Sequence, residues 1–256
     1  MSGRRRPGIR AFGDREGHER PSHRAGPPHI TKKDLIMPTF TTPAPITAVL
    51  HIPAGRVEFV ATDRTDTTVR IQPANPAKAR DVKAAEQTSV AYADGVLRVE
   101  TAIRNQYLGP TGSVAVTVEL PAGSHVEART AGAELRTAGR LGNVAFEGAY
   151  RRIELDELAG LRLTATDGDV EVGRLTGPAR ITTARGDIQI AEAVRGTLVL
   201  ATQSGDISVT AAAGVSASLD AGTTHGRITN ALKNSGTVEL DIHATTSSGD
   251  ITARSL

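Results

Sequence analysis

Apolar and polar residues alternate along most of this chain, in short runs broken by glycine, proline and aspartate. Val49 and His51 lead into Pro53-Ala54-Gly55, and Val57, Phe59 and Ala61 alternate with Glu58 and Val60. After the polar turn Asp63-Arg64-Thr65-Asp66, Val69 and Ile71 open a further run that Pro73 and Pro76 end. A period of two with such punctuation predicts strands. Pro121-Ala122-Gly123 repeats Pro53-Ala54-Gly55, so two equivalent strand-to-turn exits are expected. Residues 77–88 have helix-forming composition but weak apolar periodicity, which fits a short exposed helix or a loop. Strands resume at Val90, at Leu97 and Val99 after the hairpin dipeptide Asp94-Gly95, and along Val114, Val116, Val118 and Leu120.

From about His125 the runs shorten and a beat near twenty residues takes over. Gly168-Asp169, Gly186-Asp187, Gly205-Asp206 and Gly249-Asp250 each precede Ile or Val, and Gly226-Arg227-Ile228 is a degenerate copy. The successive glycines lie 18, 19, 21 and 23 residues apart. Leu161/Leu163 precedes Val170/Val172, and Ile181 precedes Ile188/Ile190. Leu198/Leu200 precedes Ile207/Val209, Leu219 precedes Ile228, and Leu240/Ile242 precedes Ile251. Looser units hold Val126/Leu135 and Val144/Phe146/Ile153/Leu155. Two such short strands cannot bury their aliphatic side chains alone, but stacked copies share one apolar column. The expected fold is all-β: a β-solenoid over 124–256, capped by a strand-rich segment at 42–123, behind a disordered basic tail at 1–36. An antiparallel sandwich of hairpins is the alternative, but it gives no reason for one turn dipeptide to recur on one beat.

Composition narrows the interior. Aromatic residues are 3% of the chain against 39% hydrophobic, so Val, Ile, Leu and Ala must fill a narrow, regular core. The net charge of +2 conceals a basic tail, because residues 37–256 carry 21 basic and 24 acidic side chains. The body is mildly acidic, and nucleic acid is not an expected partner for it. The tail reads as disordered. Arg4-Arg5-Arg6 could form an arm that touches nucleic acid or a membrane, but Met37 sits just before the first patterned segment, so the leading reading is that translation begins there or that the tail is a passive extension. No apolar run follows the tail arginines and no stretch of about 18 apolar residues occurs. A cytoplasmic protein without a membrane span is the expectation. The chain has no cysteine, which excludes disulfides, thiolate metal sites and cysteine nucleophiles.

The Gly-Asp turns are the candidate chemistry. Stacked in register they would place Asp169, Asp187 and Asp206 in a column about 4.8 Å apart. Neighbouring charges would repel by about 3–4 kcal/mol at an effective dielectric near 20. Each carboxylate could accept N–H groups within its own turn, which is the leading expectation. A bound cation such as Ca²⁺ is the second possibility. The third is Arg227, placed in sequence one coil after Asp206 and one before Asp250. The leading reading is a turn role for all ten residues, with no metal, cofactor or catalytic group. The histidines stand alone in sequence. Gly109-Pro110-Thr111-Gly112-Ser113 lacks the lysine and helix of a phosphate loop. Asp167 and Asp169 would have only Arg185 and Arg195 as basic neighbours.

The Gly-Asp-Ile/Val repeats resemble the bacterial β-strand-repeat family labelled "putative adhesins", a domain of unknown function. Val238-Glu239-Leu240-Asp241-Ile242-His243-Ala244-Thr245-Thr246-Ser247-Ser248-Gly249-Asp250-Ile251 is similar to the closing repeat of actinobacterial members. So is Asp81-Val82-Lys83-Ala84-Ala85-Glu86-Gln87-Thr88, followed by Tyr92-Ala93-Asp94-Gly95. The resemblance implies a β-solenoid with no established enzymatic activity. The functional expectation is a non-catalytic scaffold or interaction protein with an unidentified protein partner, able to self-associate through a solenoid face or edge. The alternative is a polysaccharide-binding or polysaccharide-acting module, for which Tyr107 and Tyr150 would supply stacking rings. Thr252-Ala253-Arg254-Ser255 is expected to blunt the far end of the column.

Overall fold

The computed structural model describes residues 37–102, 112–148 and 152–256. The 1–36 tail, Tyr107 and Tyr150 lie outside them. The strands of the first part are β1 (Thr39–Thr41), β2 (Thr47–Thr62), β3 (Asp66–Pro73), β4 (Thr88–Ala93), β5 (Val96–Thr101) and β6 (Val114–Pro121), with helix α1 (Ala79–Glu86) after β3. The repeats begin with β7 (His125–Ala138), β8 (Arg140–Glu147) and β9 (Ile153–Asp167). Five two-strand units follow. They are β10 (Val170–Leu175) after the second half of β9, β11 (Ala179–Arg185) with β12 (Ile188–Ala193), and β13 (Gly196–Ser204) with β14 (Ile207–Ala211). The last two are β15 (Ala217–His225) with β16 (Ile228–Ala231), and β17 (Leu240–Ser248) with β18 (Ile251–Ser255).

The fold is a β-solenoid whose coils pair in parallel and in register. Side chains on a strand alternate between faces, so register lines up like with like. One inward column runs Leu50, Ala128, Phe146, Leu163, Ile181, Leu200, Ala244 and Ala221. The opposite sheet stacks Leu135, Ile153, Val170, Ile188, Ile207, Ile251 and Ile228. A third, shorter file past the second strands runs Leu141, Leu158, Leu175, Ala193 and Ala211. Phe59, Leu135, Ile181 and Ile188 are fully buried. Small and β-branched residues suit these files, since each neighbour above and below is an aliphatic of similar size.

Outward arginines pair with the coil next door at the same register: Arg56 with Glu134 (3.1 Å), Arg129 with Glu147 (3.3 Å) and Arg174 with Glu192 (3.2 Å). Each such exposed pair contributes roughly 0–1 kcal/mol, so they tune register more than they stabilise.

Coil order departs from chain order at both ends. Although the chain runs β5, β6, β7, strand β2 lies between them: its halves pair with β5 and β6 on one edge and with β7 on the other. At the far end β17 pairs with both β13 and β15, and β18 with both β14 and β16. The last unit in sequence is therefore the last but one in space. Thr252-Ala253-Arg254-Ser255 does not blunt the column, contrary to the sequence expectation. The terminal coil is β15–β16, where Ile228 is 43% exposed.

The other end is covered differently. β4 folds back on β5 and β3 on β6, both antiparallel, and β1 continues from β3. Phe40 and Tyr92, with ring centroids 5.3 Å apart, bridge the two sheets there. The 77–88 segment resolves to helix α1, whose buried Asp81 accepts the Ser113 N–H at 3.0 Å. Asp94-Gly95 makes the β4–β5 hairpin, with φ of 52° and 76°. The two Pro-Ala-Gly segments are not equivalent. Pro121 ends β6, whereas Pro53-Ala54-Gly55 lies inside β2, a corner that bends the chain while pairing continues.

Candidate functional site

The Gly-Asp corners stack into one ladder. Asp187 N–H donates to Asp169 Oδ1 (3.0 Å), Asp206 N–H to Asp187 Oδ1 (2.8 Å), Asp250 N–H to Asp206 Oδ1 (2.7 Å) and Arg227 N–H to Asp250 Oδ1 (2.8 Å). Each carboxylate thus serves the next coil, not its own turn as expected from sequence. A charged acceptor makes such a bond worth about 1.5–3 kcal/mol, comparable with the like-charge repulsion along the file. Gly168, Gly186, Gly205, Gly226 and Gly249 all have positive φ, from 124° to 159°. A Cβ on Gly186 would stand 2.3 Å from the Gly168 carbonyl oxygen, so the coils could not close to strand spacing.

Arg227 does not sit between Asp206 and Asp250; those two corners are adjacent, and Arg227 caps the ladder beyond Asp250. Its position explains its identity. The terminal corner has no further N–H to accept, so an aspartate there would add charge without a bond. Arg152 occupies the equivalent register before Asp169 and hydrogen-bonds Glu171 at 2.7 Å. That bond, with the Glu171 and Glu154 charges, holds its guanidinium above the ordinary arginine value. Four aspartates are therefore bracketed by two arginines. Sequence reading missed the threonine three residues before the glycine. Thr202, Thr246 and Thr223 Oγ1 donate to the Gly186, Gly205 and Gly249 carbonyls (3.2, 3.1 and 3.0 Å). The signal Thr-x-x-Gly was present before Gly186, Gly205, Gly226 and Gly249.

This geometry makes a prediction. Asp206→Ala should lower stability by about 1–3 kcal/mol because the Asp250 N–H loses its acceptor. Asp206→Asn keeps an oxygen there and removes a repelling charge, so its denaturant midpoint at low salt should match or exceed the wild type. Equal loss in both variants would mean the ladder is held by charge rather than by the inter-coil bond.

Outside the corners, one shallow groove of about 650 Å³ runs across the outer face of the β7–β8–β9–β11–β13 sheet. Asn143, Gly160, Arg162, Pro178, Arg180 and Thr197 line it. Arg162 and Arg180 are register partners on adjacent coils and both are exposed. Among the described residues neither has a carboxylate partner, unlike Arg56, Arg129, Arg136, Arg174 and Arg185. His125 Nδ1, at the groove's margin, accepts the Asn143 N–H at 2.9 Å. Of the other residues singled out in sequence, Arg185 lies 3.6 Å from Asp167, and Arg195 donates to the Thr176 carbonyl.

A polar cluster ties β17 to the terminal coil. Ser218 Oγ donates to Asp241 Oδ1 at 2.6 Å. His243 Nε2 lies 2.9 Å from Asp241 Oδ2, and its Nδ1 lies 3.4 Å from Asp220 Oδ2. The bonds to Asp241 and then Asp220 raise the imidazole above its ordinary value. The Ser218 bond, then His243, lowers the Asp241 carboxyl. A histidine with a raised folded value stabilises fully below its unfolded value near 6.5 and stops doing so as pH climbs through the folded value. The wild type should therefore melt above His243→Gln at pH 5.5, and the gap should narrow by pH 8.5. A constant gap would show that His243 acts only by packing.

Parallel coils, a Gly-Asp corner ladder and two flat outer faces define the class: a β-solenoid of short coils. The chain belongs to the Toastrack DUF4097 family, whose model matches residues 51–255. Solved structures that this chain resembles include a "putative cell adhesion protein" from Clostridium sporogenes, 10% identical, covering 86% of this chain and 99% of that one with a TM-score of 0.34. A "putative adhesin" from Bacteroides fragilis is 12% identical, covering 86% and 97%, with a TM-score of 0.41. Another from Parabacteroides distasonis is 10% identical, covering 85% and 96%, with a TM-score of 0.32. A comparison with curated proteins gives no match. Among the described residues no helix is long and apolar enough to cross a membrane.

Proposed function

We propose that this Toastrack domain is a non-catalytic interaction scaffold that binds a protein partner through the outer sheet face, with Arg162 and Arg180 at its centre. One observation carries the reading: the contrast between these two arginines and the charges around them. Corner aspartates accept inter-coil N–H bonds, and Arg56, Arg129, Arg136, Arg152, Arg174 and Arg185 each bridge to a carboxylate on the neighbouring coil. Arg162 and Arg180 instead sit side by side in register on adjacent coils, lining a groove together with Gly160 and Pro178. Two guanidinium groups about 5 Å apart suit carboxylates spaced along an extended acidic segment, and each can take one bidentately. The rigid column holds them at fixed spacing, so binding loses little side-chain freedom.

The test is affinity capture from the native host, comparing the wild type with Arg162→Glu/Arg180→Glu. The expected result is a discrete protein set that the wild type retains and the double variant loses, with both melting at similar temperatures. Capture unchanged by charge reversal would overturn the assignment of the surface. Release of new reducing ends from an anionic polysaccharide, with turnover, would replace it with the polysaccharide-acting alternative.

A further inference from the structure

The two ends of the column differ, and the bare one points to a partner. At the β1/β4 end the sheets close through antiparallel strands, the Phe40–Tyr92 contact and α1. At the other end β15 pairs only with β17 and β16 only with β18, among the described residues. The Lys233 carbonyl accepts the Ala217 N–H at 3.0 Å at the start of β15; beyond it the outer edges hold N–H and C=O groups with no strand partner among the described residues, in both sheets. Between them the apolar files stop at half-buried Leu219 and Ala221 and exposed Ile228. An edge of this kind is a template for further strand pairing.

We infer that this end binds a second copy of the same chain, giving a closed twofold dimer stacked end to end. A single added peptide strand could pair with one edge only, leaving the other edge and the apolar files in water. A cross-section with two strands and aliphatic residues between them matches both, and the same coil of a second copy has it. The opposite end of the column lacks a bare parallel coil, so head-to-tail growth into a filament has no matching surface. A twofold axis across the column makes both sheets continue antiparallel, and the interface is isologous.

Charge supports the same arrangement. Asp220 is 84% exposed, with only the 3.4 Å contact to His243. Arg227 has no carboxylate partner among the described residues, unlike Arg56, Arg129 and Arg174, which meet glutamates across coils. Thr223 and Thr229 flank the Gly226 corner at equal distance, so one dyad passes close to both. Antiparallel pairing about Thr223 then sets Asp220 of each copy opposite Gly226 of the other, beside its Arg227. The two groups left over in one copy neutralise those in the next, twice by symmetry.

The natural absence of cysteine makes the test direct. Thr229→Cys in the full chain places two thiols at the dyad, within the Cα separation of roughly 4.4–6.8 Å that a disulfide bridges. Mild oxidation should convert most of this variant to a covalent dimer, whereas Thr182→Cys, exposed on the outer face mid-column, should remain monomeric. By sedimentation, Ile228→Lys should weaken dimerisation about tenfold or more, since an edge lysine opposes pairing. Asp220→Arg should also weaken it, and Asp220→Arg/Arg227→Asp should restore it. A full chain that is monomeric at every concentration overturns the inference, whether residues 1–36 or a foreign partner covers the end. A dimer insensitive to these changes, with Thr229→Cys unlinked, overturns it as well.

Discussion

Gly205→Ala is expected to lower stability by about 3 kcal/mol or more, although it adds one methyl group at a surface corner. Two effects add. The residue sits at φ 150°, a conformation that L side chains rarely adopt and that costs about 1–3 kcal/mol to hold. Its new Cβ would stand 2.1 Å from the Gly186 carbonyl oxygen and 2.5 Å from the carbonyl carbon. Neither atom can yield, because both belong to the backbone of the coil beneath. Forcing coils apart costs a further 1–3 kcal/mol by the usual measure of overpacking. For a folded body of this size each kcal/mol moves the midpoint by about 2–4 °C, so calorimetry should show a fall of about 6–12 °C or more. Gly222→Ala is the control, since no atom lies within 4 Å of its added Cβ and its φ is not positive. It should melt within about 2 °C of the wild type. A Gly205→Ala protein that melts with the control would mean the corners are not stacked.

Ile242→Ala and Ile228→Ala are expected to separate widely, because the out-of-order stacking puts one inside the column and the other at its end. Ile242 is fully buried between Leu198 and Leu219, while Ile228 has a neighbour on one side only. Truncating the first should cost about 2–5 kcal/mol and the second under about 1 kcal/mol. A chain stacked in sequence order would reverse the ranking, because the coil holding Ile242 would then be terminal. Removing residues 237–256 carries the same logic further. In a sequential solenoid it would cost one end interface. Here it removes strands paired on both edges and strands β15 and β16 without partners, so their amides should exchange at unfolded-chain rates. Retained protection of Ala217–Ala231 in that truncation would contradict the topology.

The coil itself was legible in the sequence. Alternating aliphatics and a positive-φ glycine leave marks that hold in any copy, so Ile188/Ile190 and Gly186-Asp187 reveal strand, corner and register together. The order of coils was not legible for a matching reason. Leu198 and Leu200 accept Ile242 and Ala244 about as well as Leu219 and Ala221, so inward residues do not encode which unit comes next. The hints were the polar substitutions in the 217–231 unit. Asn230 replaces the second aliphatic of Ile-x-Ile, and Arg227 replaces the aspartate, and both suit a coil with nothing above it. Pro53-Ala54-Gly55 misled because a solenoid corner uses the residues of a turn without ending the pairing. Gly55 has φ 136°, and its Cβ would lie 1.8 Å from the Val114 carbonyl oxygen, so it marks close approach of a neighbouring coil. The unpartnered arginines could not have been found in sequence, since Arg162 and Arg180 differ from Arg174 only in what the register places beside them.

Engineered cysteine pairs test the stacking most directly, on a background without native thiols. Ala201 and Thr245 are register partners on β13 and β17, and Thr245 in turn pairs with Gly222 on β15. Ala201→Cys/Thr245→Cys should form an intramolecular disulfide readily under mild oxidation. Ala201→Cys/Gly222→Cys should not, because two coil spacings, about 9–10 Å, separate the positions. The opposite outcome, with 201 linking to 222 and not to 245, would show coils stacked in chain order and would remove the basis for the bare β15–β16 end.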